Sequence, residues 1–151
     1  MTPTLITSPA LSLAGRNGRY AIGPSPGIKD LWAQFMQDFG QIDGQIGLKV
    51  FGVCHSFDGK GQMEYLAAVA VENSGQVPGY LYTLTIPERK EAVFIHDGPI
   101  ETISETWEMI FSDGLPKANL EVAPGPQFES YPEDLGVEGA TGKIEIHIPV
   151  L

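Results

Sequence analysis

One order of elements, extended–helical–extended–extended, occurs twice at an offset of about 75 residues, and this constrains the fold more than any single motif. The first copy spans about 5–75 and the second about 79–151. Residues 5–22 read as extended, with a break or turn expected at Gly15-Arg-Asn-Gly18. Ser25-Pro26 can open a helix, because proline's missing N–H has no partner to lose at the first helical position. Ile28, Leu31, Trp32, Phe35 and Phe39 then recur at helical spacing, and Gly40 is the expected stop. Strands are expected at about 48–57 and 63–72, joined by Asp58-Gly-Lys-Gly61.

The second copy begins with extended residues 80–96, in which Pro87 marks an edge, bend or bulge. Asp97-Gly-Pro99 turns the chain. Ile100, Ile103, Trp107 and Ile110, widened by Phe111, predict a helix that Gly114 and Pro116 should end. Strands near 126–132 and 142–150 complete the pattern. Each helix carries one tryptophan at a similar stage. Both helices can cover one side of a largely antiparallel sheet, which predicts a two-layer α+β domain with a central ligand groove where the duplicated modules meet.

Length and charge narrow the function. A chain of 151 residues can close one core, so a single domain over 1–151 is expected. Nine basic against nineteen acidic residues give a formal charge of -10, which repels a phosphate backbone and argues against direct nucleic-acid binding. The same field concentrates small cations. Cys54 is the single cysteine, so neither an internal disulfide nor a cysteine zinc site is expected. The segment MTPTLITSPALSLAG has no basic leader, contains two prolines and soon reaches Arg16 and Arg19, unlike a signal peptide. No apolar run reaches membrane-spanning length. A cytoplasmic protein is the simplest expectation.

Within Pro126-Gln-Phe-Glu-Ser-Tyr131, strand alternation puts Glu129 and Tyr131 on one face and Phe128 with Ser130 on the other. A carboxylate and a phenol side by side suit a pocket for a flat cationic molecule; a solvent-exposed rim position is the plain alternative. Buried without a partner, Glu129 would cost several kcal/mol to keep ionised, or its pKa would rise. A cationic ligand offsets that cost, and aromatic walls add about 0.5–2 kcal/mol each. The same residue could also act as a general base toward water.

Tyr65 would flank the groove, although Ala67, Val69 and Val71 share its apolar face and favour a core role equally. Tyr131 precedes Pro132 and could sit at the rim. Trp32 and Trp107 lie on helix stripes, where core packing competes with a wall position. Phe51 and Phe94 have the same ambiguity on strands, with core favoured. His55, His96 and His147 lack metal-ligand spacing, Cys54 and His55 point oppositely on a strand, and His96-Asp97 reads as turn geometry. Ser56 and Asp58 are too local to His55 to make a nucleophilic triad. No glycine cluster has the strand–GxGxxG–helix setting of a dinucleotide site. No cofactor and no metal are expected.

Leu31-Trp32, Glu64-Tyr-Leu-Ala-Ala-Val-Ala-Val-Glu72, Ile86-Pro87, Ala92-Val-Phe-Ile-His-Asp-Gly98, Thr106-Trp107, Phe128-Glu-Ser-Tyr131 and Ile144-Glu-Ile-His-Ile-Pro-Val150 occur in an order that resembles the GyrI-like effector-binding domain, the small-molecule module of some AraC-type and MerR-type regulators. The resemblance covers nearly the whole chain. It implies a duplicated strand–helix–strand–strand fold whose cleft takes hydrophobic, often cationic or aromatic compounds, with the pocket carboxylate at Glu129 by the FExY pattern. With so little chain outside the domain, no DNA-binding module is expected. The resemblance also implies that some stand-alone relatives bind toxins or partner proteins, and that a subset hydrolyses strained cyclopropane-containing compounds with a pocket glutamate and an aromatic hydroxyl.

Three functions follow as expectations. The first is a stand-alone protein that senses or sequesters a hydrophobic cationic aromatic compound through Glu129, Tyr65, Tyr131, Trp32, Trp107, Phe51 and Phe94. The second is a hydrolase with Glu129 as general base, assisted by Tyr65 or Tyr131. The third is an acidic module that meets a basic protein partner.

Overall fold

Proline and glycine divide the chain into its elements, though not always where local pattern predicts. A computed structural model describes residues 1–133 and 143–151. The strands are β1 (Thr4–Ser8), β2 (Leu11–Ala21), β3 (Gln45–His55), β4 (Gln62–Val71), β5 (Tyr82–Ile86), β6 (Arg89–His96), β7 (Gln127–Tyr131) and β8 (Ile144–Pro149). They form one eight-stranded sheet in the order β1-β6-β8-β7-β3-β4-β2-β5, and every pairing is antiparallel.

Helix α1 (Pro26–Asp38) starts with proline after an extended Ser25, and Gly40 follows it at φ +83°. Leu31 and Phe35 form its buried stripe. The second helical run opens with a 3-10 turn at Ile100–Thr102, continues as α2 (Ile103–Met109) and passes through a π turn at Ile110–Gly114. A final turn occupies Leu115–Lys117.

Two local expectations are corrected. Gly15–Gly18 does not break the first extended segment: β2 runs straight through it, paired with β4 from Leu13 to Ala21. The break falls at Pro9–Ala10, between strands that pair with different partners. Gly15 serves close approach instead, since a Cβ there would lie 1.8 Å from the Ala67 carbonyl oxygen. Gly114 and Pro116 likewise do not stop the second helical run, which reaches Lys117. A Cβ at Gly114 would meet Phe94 Cε1 at 2.6 Å, so this glycine lets the π turn settle onto the sheet. The chain leaves the helix through Asn119 at φ +55°.

Pro87 separates β5 from β6, and the two strands go to opposite halves of the sheet, β5 beside β2 and β6 beside β1 and β8. The strand expected at 142–150 begins in part among residues that lie outside the described ones.

Residues directly opposite in an antiparallel ladder share a face. Ala67, Gly52, Glu129, Ile146 and Phe94 are linked in this way across five strands. On that face α1 packs with Tyr65, Ala67 and Val69. Ile103, Trp107, Ile110 and Leu115 pack there with Phe94, Ile146 and Ile148. Both helical segments therefore cover the same side of the sheet. The other face buries Leu13, Phe51, Val53, Leu66, Ala68, Ile86 and Phe128 in a cluster without helix residues, as a sheet curled over itself requires.

Candidate functional site

The β3–β7 seam builds the site. Its register places Tyr131 opposite Val50 and Glu129 opposite Gly52. Tyr65, on β4, lies opposite Cys54 and reaches the same face. From above come Trp32 on α1 and Trp107 on α2, both half-buried. Alternation alone brings Glu129 and Tyr131 together, whereas the tryptophans arrive through tertiary packing.

Glu129 is only 8% exposed, yet both of its carboxylate oxygens are partnered. The Trp107 indole N–H donates to Oε2 at 2.6 Å. The Tyr131 hydroxyl donates to Oε1. Trp32 Nε1 donates to the Tyr65 hydroxyl oxygen at 3.1 Å. The Tyr65 and Tyr131 hydroxyls are themselves close enough to interact. Indole nitrogens only donate and an ionised carboxylate only accepts. Three donors are thereby engaged at the site, the Trp32 indole on Tyr65 and the Trp107 indole and Tyr131 hydroxyl on Glu129.

Aromatic rings pack around these groups. Trp32 stands edge-on to Tyr131 at 5.7 Å and to Tyr65 at 6.4 Å. Trp107 is stacked with Phe111 at 6.4 Å, and Phe111 is 43% exposed.

Burial raises the Glu129 carboxyl above its ordinary value, opposed by hydrogen bonds from Tyr131 and Trp107 and by the charge of His96. The Tyr131 and Tyr65 phenols are pushed up by burial first and the Glu129 charge second, so both hold their protons. The same two causes lift the Cys54 thiol to about 12. Of these groups, Glu129 is the one whose ordinary pKa lies in the carboxylate range, so it ionises before the phenols and the thiol.

Tyr65, Tyr131, Trp32, Trp107 and Glu129 converge. Phe51 does not: it lies on the opposite face against Phe128, at 5.9 Å between centroids. Odd-numbered residues of β3 point away from the helices there, because the register pairs Gly52 with Glu129. Phe94 shares the Glu129 face but sits in the core at 1% exposure, beneath Ile110 and Leu115.

Sequence reasoning missed Gly52 and Phe111. Phe111 looked like added width on a helix stripe, and only the π turn and the stack on Trp107 bring it to the wall. His96 anchors the turn before the second helix, its Nε2 on the Pro99 carbonyl at 2.8 Å and its Nδ1 on Thr106 Oγ1 at 2.6 Å. The carbonyl can only accept, so Nε2 carries a proton. Among the described residues, no group of three His, Cys, Asp or Glu side chains has the arrangement of a metal site. Nor is any helix among them long and apolar enough to cross a membrane.

Comparisons with known proteins agree with this architecture. Transcriptional regulator BrlR of Pseudomonas aeruginosa is 28% identical over 152 residues, covering 99% of this chain and 56% of BrlR. The chain thus spans about half the length of that curated relative. The structure of SAV2435 bound to tetraphenylphosphonium superposes with a TM-score of 0.76 at 22% identity, over 100% of this chain and 94% of the other. The EcmrR C-terminal domain gives 0.66 at 18% identity, over 99% and 96%. The family model for the GyrI-like small molecule binding domain matches residues 1–151. The chain belongs to the GyrI-like small molecule binding domain family.

Proposed function

We propose that this protein binds bulky lipophilic organic cations over Glu129, between the Trp32 and Trp107 walls, and so senses or sequesters them. The observation that carries this reading is a buried carboxylate whose partners are neutral. Glu129 receives an indole N–H and a phenol O–H, and no lysine or arginine pairs with it among the described residues. Its charge is stabilised without being cancelled. A cation entering between the rings would cancel it, gaining Coulomb attraction in a poorly solvated place and cation–π contact. The Trp32, Trp107 and Tyr131 donors are already engaged, which leaves oxygen lone pairs and ring faces for a ligand and disfavours anions. The tetraphenylphosphonium bound to SAV2435 has the chemistry this reading asks for.

The groove belongs to a duplicated fold in this proposal. The units β2-α1-β3-β4 and β6-α2-β7-β8 occupy the sheet as β6-β8-β7 followed by β3-β4-β2, a mirrored order that supports two repeats meeting at β3–β7. The acidic surface would raise the local concentration of cations at its mouth. A single domain and a cytoplasmic address, consistent with one cysteine and no disulfide, complete the reading.

Titration with tetraphenylphosphonium, followed by quenching of tryptophan fluorescence, tests it. Saturable binding that weakens at least about tenfold in Glu129→Gln, with the ligand intact by mass spectrometry, is expected. Equal affinity in Glu129→Gln would overturn the role of the carboxylate. Turnover is tested with a strained cyclopropane substrate; a water adduct lost in Glu129→Gln would identify a hydrolase instead.

A further inference from the structure

Strand interiors disfavour glycine, which packs nothing and loses the most backbone freedom on folding. Gly52 nonetheless sits mid-strand in β3, paired with Ala67 on one side and Glu129 on the other. Its backbone does not demand glycine. Gly47, earlier in the same strand, has φ +67°, whereas Gly52 lies outside the left-handed region. Space is what requires it. A Cβ on Gly52 would lie 2.1 Å from the Tyr65 hydroxyl oxygen, 3.0 Å from Tyr65 Cζ and 3.3 Å from Glu129 Oε1. The first distance is far inside van der Waals contact, so the phenol would have to leave.

We propose that Gly52 is a positioning residue of the cation site: its missing side chain is the space in which the Tyr65 hydroxyl reaches the Glu129–Tyr131 pair. The inference rests on the cation-binding reading and deepens it, because it names what shapes the floor on which a ligand sits. Alanine at this position is compatible with the strand backbone and strikes one phenol. Displacing that phenol removes the acceptor of the Trp32 indole N–H and the ring against which Trp32 stands. One methyl group would thus disturb both the floor and a wall.

The test compares wild type, Gly52→Ala, Tyr65→Phe and the double variant. Three quantities are read: tetraphenylphosphonium affinity, the Trp32 indole N–H resonance of the ligand-free protein, and the melting temperature. In the wild-type background Gly52→Ala should weaken binding roughly tenfold, the loss of about one aromatic–cation contact, and should shift the Trp32 resonance. Added to Tyr65→Phe, the same change should alter affinity by less than about twofold and leave the resonance in place, because the atom it strikes is gone. The ring carbon behind it needs only a small shift. Equal losses in the two backgrounds, or none in either, would overturn the proposal. So would unfolding of Gly52→Ala in both backgrounds, whereas unfolding only where Tyr65 is present supports it. Should wild type fail to bind tetraphenylphosphonium, the cation reading falls, and the Trp32 resonance still decides the role of Gly52.

Discussion

The Trp107 indole N–H donates to Glu129 Oε2 at 2.6 Å, tying the second helical run to the central seam of the sheet. The bond is half of what keeps a buried carboxylate satisfied. Trp107→Phe preserves a ring against Phe111 but removes the donor. The expected cost is about 1–3 kcal/mol near neutral pH, the range for orphaning a buried polar group. Urea unfolding measures it. Glu129 should also become harder to ionise in this variant, so the loss should shrink in acid, where the carboxyl is protonated. A loss independent of pH would mean that packing, rather than the hydrogen bond, is what the indole contributes.

Trp107 also shows where reading the sequence stops. The Glu129–Tyr131 pairing follows from a period of two, because both are on one short strand. The meeting of Trp32 and Trp107 with that strand does not follow from any period: each helix stripe is compatible with a core of its own. Phe51 carries a related ambiguity. Alternation separates Phe51 from Gly52, but only the β3–β7 register decides which of them shares the Glu129 face. Gly15 and Gly114 misled in another way. Glycine marks turns and stops when the backbone needs a positive φ, yet here both leave room for a neighbour, the Ala67 carbonyl and the Phe94 ring. Local sequence cannot distinguish those causes. The strand and helix order survived because it depends on runs of many residues.

Cys54 provides a probe of the charge at the seam. It points to the Glu129 face, and its thiol is raised to about 12, first by burial and then by the Glu129 charge. At pH 8 roughly one thiol in ten thousand would be ionised, so iodoacetamide should label the folded protein far more slowly than the urea-unfolded chain. Glu129→Gln removes the second cause and should speed labelling of the folded protein. An unchanged rate in that variant would mean the carboxylate does not act on the thiol.

On the far face of the sheet, Glu91 is 1% exposed and accepts from Arg89 Nε at 2.7 Å and from His147 Nδ1 at 2.9 Å. Burial alone would raise its carboxyl, but the hydrogen bonds from His147 and Arg89 outweigh it and hold the group below its ordinary value. An acid with a depressed folded pKa contributes stability above its unfolded value and loses it as pH falls through the folded one. Glu91→Ala should therefore cost up to about 3–5 kcal/mol near neutral pH, since it removes the carboxylate partner of a largely buried guanidinium. The difference from wild type should narrow in acid, as chemical denaturation across a pH series would record. A gap of constant size would show that Glu91 acts by filling space.

Glu129 carries the opposite sign. Its carboxyl is raised by burial, so the folded protein holds that proton more tightly than the unfolded chain does. Without ligand, its contribution to stability is most favourable at low pH and is lost as pH rises from the ordinary carboxylate value through the raised one. A permanent cation bound as proposed would reverse the preference, because it would interact with the ionised form. Tetraphenylphosphonium has no proton of its own to titrate in this range, so the pH dependence of its binding reports the protein. Its affinity should be flat at high pH and fall, by up to about tenfold per pH unit, below the Glu129 midpoint, which lies above the usual carboxylate range, until it levels off near that of Glu129→Gln. Glu129→Gln should bind weakly at every pH, with no such slope. The measurement is a fluorescence titration repeated across pH at constant ionic strength, within the range where the fold persists. A slope that survives in Glu129→Gln would assign the titration to another group and remove Glu129 from the centre of the site.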